Sequence, residues 1–161
     1  MVRKDIAIAA LAALAALCCP LLVAQTVQWT GNFGPISLAN IATRTDQPTG
    51  SSTATLQITG DVELSADNTA AARLSEAGGD LLVTEYGLEF DGDGSSGSGA
   101  EPVPYAAYDS FLSPPVLVTH NGSDDDVGVT LKVRASIPAG DVANAATYSA
   151  TQTITATWVG P

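Results

Sequence analysis

The chain has 161 residues, 17 of them acidic against 6 basic, for a formal net charge of −11. So acidic a surface argues against nucleic acid and anionic lipid as partners and favours solubility or cations. Two cysteines and one histidine leave little from which to build a zinc or thiol-based site.

Residues 1–5 carry Arg3 and Lys4, residues 6–17 are an unbroken apolar run, and Cys18, Cys19 and Pro20 lead to Leu21, Leu22, Val23 and Ala24. A charged start, an apolar stretch and a small residue at the end read as a signal peptide, 1–24, cut near Ala24. An uncleaved membrane anchor is the alternative; Pro20 and the lack of a following positive charge count against it. A lipid-modified Cys18 or Cys19 would need a small residue before it, which Ala16-Leu17 does not supply. Both cysteines fall in this leader, so the mature chain is expected to form no disulfide and to be secreted, extracellular or at the cell surface. Arg3, Lys4 and Asp5 sum to +1, so their removal takes −11 to −12. Residues 25–161 suit a single domain.

Residues 26–30 alternate and open the mature chain, and Gly31 to Pro35 reads as a turn. Residues 36–41 are expected as a second short strand or a continuation past a bulge. Residues 53–59 alternate as a strand, continued by Val62 and Leu64 beyond Gly60. Residues 68–76 are the only helix-like stretch, too short for more than a turn or a loop. Residues 80–90 read as a strand with Leu82, Tyr86, Leu88 and Phe90 facing the core. Residues 91–99 are a low-complexity Asp/Gly/Ser run that cannot pack a core, and 101–104 continue the loop. Residues 105–112 bring Tyr105, Tyr108 and Phe111 close together in sequence. Residues 116–120 make a short strand and 121–126 an acidic turn. Residues 127–137 form a strand with Val129, Leu131, Val133 and Ala135 on one face. The last strand, 147–158, alternates strictly, with Ile154, Ala156 and Trp158 on one side and threonines on the other. Seven or eight strands separated by turn signals predict an all-β, antiparallel two-sheet sandwich, immunoglobulin-like in plan, with a closed barrel as runner-up.

No catalytic constellation emerges. His120 lacks a second His or Cys in the mature chain, and no nucleophile-elbow pattern is present. Asp91 and Asp93 start like a calcium loop, but Ser95, Ser96 and Pro102 stand where such a loop needs a ligand, a glycine and a glutamate. A looser calcium site would draw on Asp91, Asp93, Asp124 and Asp126 if the two acidic loops meet at one end of the sandwich; solvated turns are the plainer reading. Asn121-Gly122-Ser123 fits a glycosylation acceptor or simply a hairpin turn. Tyr105, Tyr108 and Phe111, with Trp29 and Trp158, are either a carbohydrate platform or core and interface packing.

The ending carries a resemblance. Ile137-Pro138-Ala139-Gly140, then residues 146–158 (Ala-Thr-Tyr-Ser-Ala-Thr-Gln-Thr-Ile-Thr-Ala-Thr-Trp), resemble the C-terminal end of secreted pilus and spore-coat-U type subunits. Those subunits finish with a proline-containing turn, a Thr-Tyr step and a Thr-rich alternating strand. They often have Gly where Ala146 stands, and they carry a disulfide that the mature chain cannot form. The resemblance implies an incomplete immunoglobulin-like sandwich completed by a neighbour's strand. The donor would be residues 25–41, with Val27, Trp29, Ile36, Leu38 and Ile41 filling the groove; in the other reading this segment pairs within its own domain. The expected function is a non-catalytic structural subunit of an extracellular filament, pilus or surface matrix, self-associating with identical subunits. The alternative is a secreted carbohydrate- or calcium-dependent adhesion module.

Overall fold

The computed structural model describes residues 25–91, 100–120, 122 and 125–160. The proposed leader and its cysteines, Asp93, Asn121, Ser123 and Asp124 lie outside these residues. Eight strands are found among them: β1 (Val27–Trp29), β2 (Thr49–Ile58), β3 (Asp61–Ala66), β4 (Val83–Asp91), β5 (Ala100–Ala107), β6 (Val116–Val118), β7 (Asp126–Ser136) and β8 (Ile154–Gly160). One sheet runs β1-β2-β7-β4-β5 and the other β6-β3-β8, with every pairing antiparallel. The expected two-sheet sandwich is therefore the fold.

Period-two alternation builds it. Ala54, Leu56 and Ile58 of β2, Tyr86, Leu88 and Phe90 of β4, and Val127, Val129, Leu131, Val133 and Ala135 of β7 turn one buried face toward the second sheet. Val62 and Leu64 of β3 and Val118 of β6 answer from the other side. Fully burying each of the larger side chains is worth about 1.5–3 kcal/mol relative to exposure. The reverse face of the larger sheet is polar. Across it Arg134 pairs with Glu85 at 2.8 Å, Lys132 pairs with Glu89, and Thr53 bonds Thr130 at 2.8 Å.

Four elements depart from expectation. β2 begins at Thr49, four residues before the expected strand at 53–59 and within a stretch, 46–52, that reads as a loop, because β7 is long enough to pair with it back to Arg134. The expected strand at 36–41 is an irregular strap with no ladder. Residues 101–104, expected as loop, belong to β5, which tolerates Pro102 and Pro104 because it is the sheet's edge and a proline nitrogen can face outward there. The last strand begins at Ile154 rather than Thr147. Its partner β3 ends at Ala66, and the chain then enters a 3₁₀ turn, Ala70–Ala72. Residues 149–153 follow that turn by scattered backbone bonds, Ser149 with Ser75 in both directions and Thr151 N–H to Ala71 O at 2.7 Å. A turn offers no continuous ladder, so the alternation there does not become a strand.

Candidate functional site

The N-terminal segment takes its place along one side of the sandwich. β1 pairs with β2 of the same chain, Val27 opposite Ile58 and Trp29 opposite Leu56. Thr59 N–H to Thr26 O and Thr30 N–H to Thr55 O, 3.1 and 3.0 Å, extend the ladder at both ends. Trp29 meets Phe33 with ring centroids 5.4 Å apart. Gly34 N–H then donates to Ser52 Oγ at 2.7 Å, and Ile36 and Leu38 pack on the core beside Gly50. A Cβ at Gly50 would lie 2.6 Å from the Ile36 methyl, so the glycine makes room for the strap. All five predicted interface side chains, Val27, Trp29, Ile36, Leu38 and Ile41, are half-buried.

A clamped turn brings the strap back to β2. Ala42 N–H, Thr43 N–H and the Thr43 hydroxyl all donate to the Asp46 carboxylate, at 2.8, 2.8 and 2.7 Å. The Thr43 hydroxyl bond, then the backbone bonds from Thr43 and Ala42, hold the Asp46 carboxyl below its ordinary acidity range. Between the strap and residues 143–148 runs an open groove of about 820 Å³, floored by Leu74, Leu82, Ala135 and Ile137, with no charged side chain in its lining.

Four acidic residues gather at one end. β4 ends at Asp91 and β7 begins at Asp126, and the β4–β7 register, Phe90 opposite Val129, puts both at the same end of the larger sheet. Asp61 joins them there; its carboxylate accepts from His120 N–H at 2.8 Å, and His120 Nε2 lies 2.8 Å from Asp125. The His120 side chain is 17% exposed and tied to Asp125. Among the described residues no three His, Cys, Asp or Glu side chains form a group able to hold a metal. Asp91 and Asp126 are thus placed at one end, while the calcium candidates Asp93 and Asp124 fall outside the described residues.

The aromatics do not share a face. Phe111 is fully buried and packs on Tyr86, 5.6 Å between centroids. Tyr105 lies under the Arg134 guanidinium at 4.6 Å, and Tyr108 under that of Arg73 at 5.8 Å. Trp158 closes over the corner between β2 and β3, where a Cβ on Gly60 would stand 2.1 Å from its ring.

The four sheet edges differ. β1 and β6 are three residues long, and β5 carries two prolines. β8 has seven residues, pairs with β3 alone among the described strands, and bears no charge or internal proline. Sequence reading pointed to the strap's apolar side chains; the unblocked edge was hidden, because neighbour order in a sheet is not written in local alternation. No protein-family model, curated protein or solved structure compared with the chain matches it.

Proposed function

We propose that the chain is a non-catalytic structural subunit of an extracellular filament, pilus or surface matrix, joined to identical subunits by exchange of residues 25–41. One observation carries the reading. The segment supplies Val27, Trp29, Ile36 and Leu38 to the core, yet only its residues 26–30 are held in a ladder, and among the described strands only by β2. An edge segment held this way is replaceable by the identical segment of a neighbour, which would make the same contacts. The C-terminal resemblance and the leader-like residues 1–24 support secretion and assembly.

The test uses Gln28 and Gln57, which sit opposite each other in the β1–β2 register. The pair Gln28→Cys/Gln57→Cys is placed in the full chain with Cys18 and Cys19 changed to Ser, and expressed in the producing cells. Opposed residues in a hydrogen-bonded pair lie about 5.5 Å apart, within disulfide reach. Exchange predicts disulfide-linked multimers on non-reducing gels of surface material. Monomers carrying only the internal disulfide would refute exchange.

A further inference from the structure

We propose that the free edge of β8 is a homodimer interface, at which β8 pairs antiparallel with β8 of a second copy across a two-fold axis. The two three-stranded sheets would then become one of six strands. The inference does not depend on strand exchange, because the exchanged segment pairs with β2 and not with β8.

The hydrogen-bond alternation defines the edge. Asp67 N–H donates to Thr153 O at 3.1 Å, and the register continues Ser65 opposite Thr155 and Glu63 opposite Thr157. In an antiparallel ladder bonded and non-bonded pairs alternate, so Thr153, Thr155 and Thr157 point their backbone groups toward β3. The N–H and C=O groups of Ile154, Ala156 and Trp158 therefore point away from β3, to the open side. Each residue offers one donor and one acceptor. Unpaired groups along an edge strand are a template for another strand, and the stretch from Ile154 to Trp158 keeps an unbroken register with β3, the one shift falling beyond it at Val159.

Charge selects the occupant. Residues 142–161 contain no Asp, Glu, Lys or Arg, in a chain of net charge −11. Residues 25–43 and 47–60 are uncharged as well, but β2 is paired on both sides and β1 is three residues long, so among the described strands β8 is the long edge where two acidic copies approach without opposing like charges. The strand's chemistry is also self-complementary. With the axis at Ala156, Ala156 faces its own copy and Ile154 faces Trp158, in three bonded pairs. Thr155 then faces Thr157 in the non-bonded pairs, where side chains come closest, and cross-strand Thr–Thr pairs are favourable. Both threonines are exposed, so they are available for that contact. The other edges lack this combination: β5 is blocked by Pro102 and Pro104, and β1 and β6 are too short to hold a partner alone.

The register makes the test specific. Thr155→Cys and Thr157→Cys are made separately in the full chain with Cys18 and Cys19 changed to Ser, in mild detergent. The two variants are oxidised alone and mixed. The expected result is a disulfide dimer from the mixture and little from either alone, since Thr155 faces Thr157 and neither faces itself. In parallel, sedimentation compares the chain with its Thr155→Lys/Thr157→Lys double variant, whose exposed substitutions leave the β3 ladder intact. Dimerisation should weaken by about tenfold or more, because like charges then oppose across the edge. Equal cross-linking in single variants and mixture, no cross-linking in the mixture, or an unchanged dimer in the double variant would each overturn the proposal.

Discussion

Tyr86 gives the sharpest physical forecast. It stands on the inner face of β4, 4% exposed, and its hydroxyl donates to Ala72 O at 2.7 Å. That bond ties the 3₁₀ turn between β3 and β4 to the larger sheet. Burial first, and the charge of Asp67 second, push the phenol from 10.0 up to about 12. A phenol is neutral when protonated, so a raised folded value means the native state keeps its proton longer than the unfolded chain. The stability is therefore fully present below pH 10 and is lost as the pH rises from about 10 to about 12. Two units at roughly 1.36 kcal/mol each give a loss of about 2.7 kcal/mol across that window. Urea unfolding followed by tryptophan fluorescence at several pH values measures it, with Tyr86→Phe as reference. At neutral pH the variant should be less stable by about 1–2 kcal/mol, because the Ala72 carbonyl loses its donor. Above pH 10 the two stability curves should converge, since other alkaline titrations are common to both and cancel. Parallel curves between pH 10 and 12 would refute the reasoning. The absorbance difference near 295 nm between the two proteins isolates the same phenol directly.

Other substitutions test the remaining contacts. Gly60→Ala would drive a methyl into Trp158 and toward Gly160 O, 2.5 Å away, so the end of β8 must shift; a loss of about 1–3 kcal/mol and an altered tryptophan emission maximum are expected in denaturant titration. Phe111→Ala empties a fully buried site and should cost about 3–5 kcal/mol; a near-neutral result would mean the ring is not core. Gly50→Ala crowds Ile36 and the Ser37 carbonyl, so protease cleavage within 31–41 should quicken while the amides of β7 stay protected in hydrogen exchange. Asp46 has a depressed acidity, so its clamp is present above its ordinary value of 3.8 and released as the pH falls through the lowered one; protection of the Ala42 and Thr43 amides should drop in strong acid, and Asp46→Asn should lose that dependence.

Local alternation made the core legible. Leu82, Tyr86, Leu88, Phe90, Val129, Leu131, Val133 and Ala135 were all expected inside and are all buried, because a half-buried strand must turn every second residue to the core. What failed depended on partners far along the chain. Thr147 to Thr153 alternate as well as the residues that follow, but β3 ends before it can pair with them. Pro102 and Pro104 looked like loop residues until β5 proved to be an edge. Ile36 and Leu38 stand out in the sequence as apolar, yet nothing local could show that they would lie against Gly50 without a ladder. The acidic runs at 91–99 and 121–126 contribute turns whose metal chemistry local spacing cannot decide, since it depends on which loops share an end of the sandwich.

The two proposed contacts belong to one side of the molecule, and that constrains what they can build together. β1 is the terminal strand of the larger sheet, β8 that of the smaller, and the two lie beside each other. β5 and β6 are the terminal strands at the opposite ends of their sheets, one interrupted by prolines and the other three residues long. A β8–β8 contact is isologous and closes at two subunits. On its own, exchange of residues 25–41 propagates only when each chain gives its segment to one neighbour and receives from another. Within a β8 dimer the segments would face each other across the same axis, and exchange there would be reciprocal and would also stop at two. A filament therefore requires exchange between subunits that are not β8 partners. The Gln28→Cys/Gln57→Cys gel distinguishes these outcomes. A ladder of sizes means each chain gives its segment to one neighbour and receives from another, whereas a single dimer band means exchange is reciprocal.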